Sequence, residues 1–323
     1  MLVKGYTPII GSDGDALLLL QKEFRTLKSI ELPSYKIQYP KNGKYLKLKL
    51  FFNLPVVVKT INKEKKIIAD LIVSEKLIGI ISDNRMGVRN AKIPSVYITH
   101  QLNVLSGITT FLTSSIHQYY INKFDECWIP DDKFINYSGL LSKAPRIKTK
   151  KYIGILSRFK KQTSPIKYDL LVLLSGLEPL RSQLEKKLIL ELKRYKGKVL
   201  FVRGIVSEKQ KTSTKDNITF CNYLLTDELQ KAINESELVL ARSGYSTIMD
   251  LVALGKQSFF IPTTGQNEQE YLSRHLDKMR IAPYASENKF KIEMLVQIEN
   301  YRGFSDNYSM QLESNLFDLF HGK

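Results

Sequence analysis

The 323-residue chain has two cysteines, four histidines and one tryptophan. Cys127 and Cys221 have no cysteine or histidine at ligand spacing, which excludes a disulfide framework and a zinc site and fits a reducing compartment. No apolar run approaches the roughly 18 residues of a membrane-spanning helix. The first residues lack the basic, apolar and small-residue regions of a signal peptide, so a cytoplasmic protein is expected. Acidic residues are in deficit: 32 Asp and Glu face 49 Lys and Arg, a formal charge of +17. That balance suits nucleic acid, an anionic membrane surface or a phosphorylated substrate. The lysines are dispersed, with small clusters at 63–66 and 148–151, and no arginine-rich or aromatic-interleaved tract marks a nucleic-acid module. Nucleic acid is therefore not the expected partner.

What is present is core-forming material, with 43% apolar and 10% aromatic residues, and a length that suggests two domains. Short apolar runs alternate with longer amphipathic stretches, the pattern of βαβ units around parallel sheets, so the class is α/β. In the first half, strands are expected at 7–12, 77–82, 95–99 and 126–129, with a helix-rich stretch over 44–76 that Pro55 should kink or break. A basic, loop-like passage over 138–151 separates the halves and places the domains at 1–148 and 149–323. The second half predicts strands at 169–174, 198–202, 218–221, 237–240 and 257–261. Helices are expected at 178–195, from Thr226, at 246–254 and at 267–278, with a further helix at the C-terminus.

Doubly wound domains bind ligands at the carboxyl ends of their strands, and three polar turns follow strands of the second half. The first contains Ser175, Gly176, Pro179 and Arg181; the second contains Arg242, Ser243, Gly244, Ser246 and Thr247, with Asp250 one turn further on. Hydroxyls and glycine at a helix start suit an anion, and a carboxylate at Asp250 suits the two hydroxyls of a ribose. The third turn carries Gln266, Gln269 and Glu270, groups that either cap the helix or cradle sugar hydroxyls. Together the turns point to a phosphorylated, hydroxyl-rich ligand.

Residues 241–256 followed by 262–271 resemble the donor half of GT-B glycosyltransferases of the lipid-linked N-acetylglucosaminyltransferase kind, the type with a glycosyltransferase family 28 C-terminal domain. That family reads Ser-Arg-Ser/Ala-Gly-x-x-Thr-x-x-Glu, then Gly-Lys-Pro, an apolar strand, Pro and a Gln-rich helix start. Here Ala241, Asp250 and Gln257 are the departures. Residues 154–158 are similar to the family's interdomain Gly-x-x-x-Arg, which implies that Arg158 reaches the donor pyrophosphate. The resemblance covers about residues 5 to 280. It implies two Rossmann-like domains facing across a cleft and transfer of a hexose, N-acetylglucosamine or another, from a UDP-sugar to an acceptor hydroxyl. The expected reaction inverts the anomeric centre and needs no metal or other cofactor, with helix dipoles and arginine carrying the phosphate charge.

His100, which follows one strand of the first half, resembles the cleft-facing His of the family's His-Glu-Gln-Asn segment, and Asp83 follows another strand. Either is a candidate general base. His117, His275 and His321 read as ordinary. The family opens with a strand, a Gly-rich loop and a helix before the segment that resembles residues 4–13. By that comparison the first domain lacks its initial strand and loop. A shortened chain, or half of a split enzyme completed by a partner chain, is then expected, with little transfer activity alone. The acceptor is expected to be lipid-linked or another glycoside. Residues 44–59, where lysines interleave with Tyr45, Phe51, Phe52 and leucines, suit an anionic membrane surface on the inner face. The alternatives are a UDP-sugar 2-epimerase and an inactive nucleotide-sugar-binding subunit.

Overall fold

The architecture is that of a computed structural model, which describes residues 1–35, 54–304 and 315–321. The first half contains β1 (Ile10–Ser12), α1 (Gly14–Glu23), β2 (Ser29–Glu31), α2 (Leu54–Ser74), β3 (Ile80–Asp83), β4 (Ser95–Ile98), α3 (Thr110–Ile121), β5 (Glu126–Ile129) and β6 (Lys150–Tyr152). The second half contains β7 (Tyr168–Leu173), α4 (Leu180–Leu192), β8 (Val199–Val202), β9 (Thr212–Lys215), β10 (Ile218–Cys221), α5 (Thr226–Asn234), β11 (Ser236–Ala241), α6 (Tyr245–Leu254), β12 (Gln257–Phe260) and α7 (Asn267–Lys278).

Strands β3-β4-β5-β6 form one parallel sheet, with Asp83 paired to Ile98 and Ile98 to Trp128 at its carboxyl end. Its pleat sends alternate side chains to opposite faces. Tyr97 and Cys127 join Ile121 of α3 on one face, while Val96 and Trp128 meet Phe317 and Phe320 on the other. Strands β1 and β2 pair in parallel as a separate two-stranded sheet. Helix α2 joins the two sheets, since its Ile68 is buried with Leu32 beyond β2 and Ile80 of β3. Arg85 completes the link: it donates to Asp13 beyond β1 at 2.9 Å, to Glu64 of α2 at 2.8 Å and to the Pro33 carbonyl at 2.6 Å.

The second sheet has the order β12-β11-β7-β8-β10-β9, all parallel except the β9 edge. Its central strands are covered on both faces and therefore read as continuous apolar runs rather than alternating ones. Leu171 and Val239 pack with Ile248 and Val252 of α6 and Leu272 of α7 on one face. Leu170 and Val172 pack with Leu184 and Leu188 of α4 on the other. Helix α6 ends at Gly255, whose left-handed φ of 61° lets its N–H and that of Lys256 return to carbonyls of the last turn. The chain then enters β12 directly, and Lys256 Nζ donates to the carbonyls of Asn234 and Ser236.

Two sequence expectations change. The described part of α2 runs without a break from Leu54 to Ser74, with Pro55 its second residue, and the expectation for residues 44–53 lies outside the described residues. Strand β6, beyond the expected boundary, is hydrogen-bonded to β5, which puts the passage between the sheets at 153–167. The segment 315–321 does not stay with the second half. Phe317 and Phe320 stack edge-on against Trp128, and Tyr6 is hydrogen-bonded to His321 at 3.0 Å.

Candidate functional site

Parallel strands align their carboxyl ends, so the turns after β7, β11 and β12 share one edge of the second sheet. Ser175 and Gly176 lie exposed there, and Gly176 has a φ of 108° with nothing within 4 Å of where a Cβ would stand. Beside them Gly204, after β8, runs so close to the Leu174 carbonyl that a side chain would collide with it. In the second turn, only the Thr247 hydroxyl, at 4.0 Å, lies near a Cβ position on Gly244. Ser246 is exposed and Thr247 half-buried at the start of α6. The two turns thus leave open backbone at two helix starts, where amide dipoles favour an anion.

Other residues of these turns have structural partners. Arg242 is 1% exposed and donates to the carbonyls of Ile261, Pro262 and Leu180 and to Glu287 at 3.2 Å. Its guanidinium fastens the ends of β11 and β12 to each other and cannot reach a ligand in the cleft. Arg181 is likewise buried, bonded to Glu178, Glu185 and the Arg203 carbonyl. Ser243 is fully buried, and its hydroxyl donates to the Gln269 carbonyl at 2.8 Å, joining the second turn to the third. These three residues position the turns rather than present side chains to a donor. Gln269 Oε1 accepts from the Thr263 N–H and Glu270 Oε1 from the Gly265 N–H, so both brace the turn before α7 while remaining half-buried, as is Gln266.

Asp250 sits one turn inside α6, where Ser157 Oγ donates to its Oδ1 at 2.6 Å. Burial pushes its carboxyl up to about 6, opposed by that hydrogen bond and by the nearby Arg158 charge. Arg158 is exposed beside the Phe159 ring, so its guanidinium is available next to Asp250. Ser157 went unnoticed in the sequence because a serine just before a loop arginine carries no signal of its own.

The first sheet presents its carboxyl edge to the same place. His100, two residues beyond β4, stacks on Tyr245 with ring centroids 3.8 Å apart and planes 8° apart. Its Nε2 donates to Glu268 Oε1 at 2.8 Å. Asp83, at the end of the neighbouring β3, accepts from Asn84 Nδ2; burial raises its pKa, and the nearby His100 opposes that rise. Further contacts fasten the halves: Tyr245 Oη donates to the Pro130 carbonyl at 2.8 Å, Asn267 Nδ2 to Leu105 O at 2.9 Å and the Leu140 N–H to Tyr271 Oη at 2.7 Å. Glu268 and Tyr245 were not singled out in the sequence, since their partner is far away in the chain. His117 is buried against Tyr97, and its pKa is lowered to about 4 by burial. His275 donates to the Asn136 carbonyl at 3.0 Å. Among the described residues no group of three or more His, Cys, Asp or Glu is placed to hold a metal ion.

Comparison with known proteins places this geometry. Residues 176–314 match the glycosyltransferase family 28 C-terminal domain. Over 258 residues the chain is 22% identical to the UDP-N-acetylglucosamine--N-acetylmuramyl-(pentapeptide) pyrophosphoryl-undecaprenol N-acetylglucosamine transferase of Haemophilus ducreyi, covering 77% of this chain and 68% of that protein. The fold is similar to the calicheamicin glycosyltransferase, at a TM-score of 0.60 and 10% identity, over 99% of this chain and 86% of that one. It is also similar to the glycotransferase of kitacinnamycin, at a TM-score of 0.59 and 12% identity, over 92% and 83% of the two chains. A third similar structure is Arabidopsis thaliana UGT89C1, at a TM-score of 0.57 and 11% identity, over 96% and 85%. With two largely parallel sheets meeting edge to edge and a second half that matches the family 28 C-terminal domain, the chain is a glycosyltransferase of GT-B architecture.

Proposed function

We propose that the chain moves a hexose, N-acetylglucosamine by preference, from a UDP-sugar to an acceptor hydroxyl, with inversion and without a metal. The observation that carries this reading is the meeting of the two carboxyl edges at His100, Tyr245 and Glu268, beside open backbone at Gly176 and Gly244. The name of the Haemophilus ducreyi relative, which specifies that sugar and a pyrophosphoryl-undecaprenol acceptor, supports the donor and a lipid-linked acceptor. In the reaction the acceptor oxygen loses its proton to a base and bonds to the anomeric carbon as the bond from that carbon to the β-phosphate oxygen breaks. UDP leaves on the opposite face. Arg158 and the amide dipoles at Gly176 and Gly244 carry the growing phosphate charge, and Asp250 accepts from the ribose hydroxyls.

No helix among the described residues is long and apolar enough to cross a membrane. Approach to a lipid-linked acceptor at a cytoplasmic membrane face is supported by α3. Its outward face holds Phe111 at 73%, Leu112 at 56% and Tyr119 at 60% exposure, with no charged residue in the helix. Lys123 lies 4.1 Å from the centroid of the Tyr119 ring, and Arg146 lies 5.4 Å from that of Phe111, forming a cationic rim.

Thermal shift with UDP and a panel of UDP-sugars, followed by product analysis, tests the reading. At a hundredfold excess over Kd, linkage adds about 2.7 kcal/mol of stability. A glycoside product supports transfer, an isomerised sugar nucleotide supports an epimerase, and binding without turnover supports a binding subunit. A flat response to every nucleotide overturns the donor site.

A further inference from the structure

We propose that Glu268 is the positioning residue that makes His100 the general base, so that the base is assembled from both halves of the molecule. The inference rests on the transferase reading above. A carboxylate can only accept, so its 2.8 Å contact places the hydrogen on His100 Nε2 and leaves Nδ1 with a lone pair. Tyr245 holds the ring plane from one side and is itself fixed by its bond to the Pro130 carbonyl. The imidazole therefore has a set tautomer and a set orientation, the two properties a base needs before a substrate arrives.

Asp83, the competing candidate, has neither device: its described contact is the amide of its neighbour Asn84. Its place at the end of β3 puts it within electrostatic reach of His100. In the transfer step the acceptor O–H proton moves to His100 Nδ1 while the oxygen bonds to the anomeric carbon and UDP departs. The resulting imidazolium faces carboxylates on two elements, Glu268 of α7 and Asp83 of β3, with the Tyr245 ring of α6 across its face. Glu268 and Tyr245 belong to the domain that carries the donor turns, whereas His100 belongs to the acceptor side. Acceptor activation is thus tied to docking of the two halves.

The test uses the full chain and its Glu268→Gln and Glu268→Asp variants, with nitrogen-detected spectra of the four histidines assigned through His100→Gln. In the parent, above neutral pH, His100 should show hydrogen on Nε2 and a bare Nδ1. Glu268→Gln should mix the His100 tautomers, and Glu268→Asp should restore most of the parent tautomer. An unchanged tautomer in Glu268→Gln overturns the proposal. UDP-dependent thermal shift on the same samples reports the donor site separately, so loss of that response in the parent counts against the transferase reading alone. With UDP-N-acetylglucosamine as donor, Glu268→Gln should cut kcat by about 10²-fold, the scale of general-base catalysis, and leave the donor KM within about twofold. An unchanged kcat with an altered tautomer also overturns the proposal.

Discussion

The Ser157 hydroxyl donates to the Asp250 carboxylate at 2.6 Å, bringing the passage between the two sheets onto the first helical turns of α6. Arg158 follows directly and lies close enough to lower the Asp250 pKa, so one short segment sets both the charge and the position of this carboxylate. Burial wins over both partners and holds Asp250 at about 6, above its ordinary range. As pH falls through about 6, Asp250 gains a proton and with it loses part of its capacity to accept hydrogen bonds, including the ones proposed from ribose. UDP affinity should decline over that interval, and Asp250→Asn should remove the dependence. Calorimetric titration from pH 5 to 8 measures it; a parallel decline in Asp250→Asn would assign the effect elsewhere.

The same raised pKa has a stability consequence of definite sign. Between the unfolded carboxylate range and about 6 the folded state binds the extra proton, so this contribution is complete at low pH and lost as pH rises through about 6. Ser157→Ala removes a lowering influence and should move the loss to higher pH. Melting curves of parent and variant across pH 4 to 8 make the comparison; identical curves would mean the hydroxyl is not coupled to the carboxylate.

If the exposed Arg158 guanidinium meets the donor phosphates, as proposed, Arg158→Ala should weaken UDP more than uridine. One charge-assisted hydrogen bond is worth about 1.5 to 3 kcal/mol. Equal losses for the nucleoside and the diphosphate would take Arg158 out of the site.

Arg242→Ala should behave as a folding defect. Removing a guanidinium that is 1% exposed leaves Glu287 without its buried partner and frees three carbonyls. Breaking such a pair costs about 3 to 5 kcal/mol. Urea unfolding should show the loss, and Arg242→Lys should recover little because one ammonium cannot serve four acceptors in that geometry. A stable Arg242→Ala protein with a selective defect in UDP binding would return Arg242 to the donor site.

Phe111→Ser combined with Tyr119→Ser should reduce co-sedimentation with vesicles rich in anionic lipid. Replacing Lys123 and Arg146 by glutamine should weaken the dependence on anionic lipid, by about 1 kcal/mol per cation near the surface. Binding that ignores both sets of changes would remove α3 from the membrane face.

Strand and helix order in the second half was readable because each signal is local: apolar runs of strand length, polar glycine-bearing turns, and helix ends marked by Gly255 and Thr226. The open backbone positions at Gly176 and Gly244 were legible for the same reason. Helix α3 was not, because it buries Ser114, His117 and Gln118 while Phe111, Leu112 and Tyr119 face outward, the reverse of the pattern that announces a surface helix. Nor does any local pattern distinguish an arginine that meets phosphate from one that meets Glu287 across 45 residues. The pairing of His100 with Glu268 spans 168 residues, and only the packing of two sheets edge to edge brings them to 2.8 Å. Turn chemistry and periodicity are properties of neighbours along the chain, whereas the fate of a charged side chain is decided by which opposite charge the fold delivers to it.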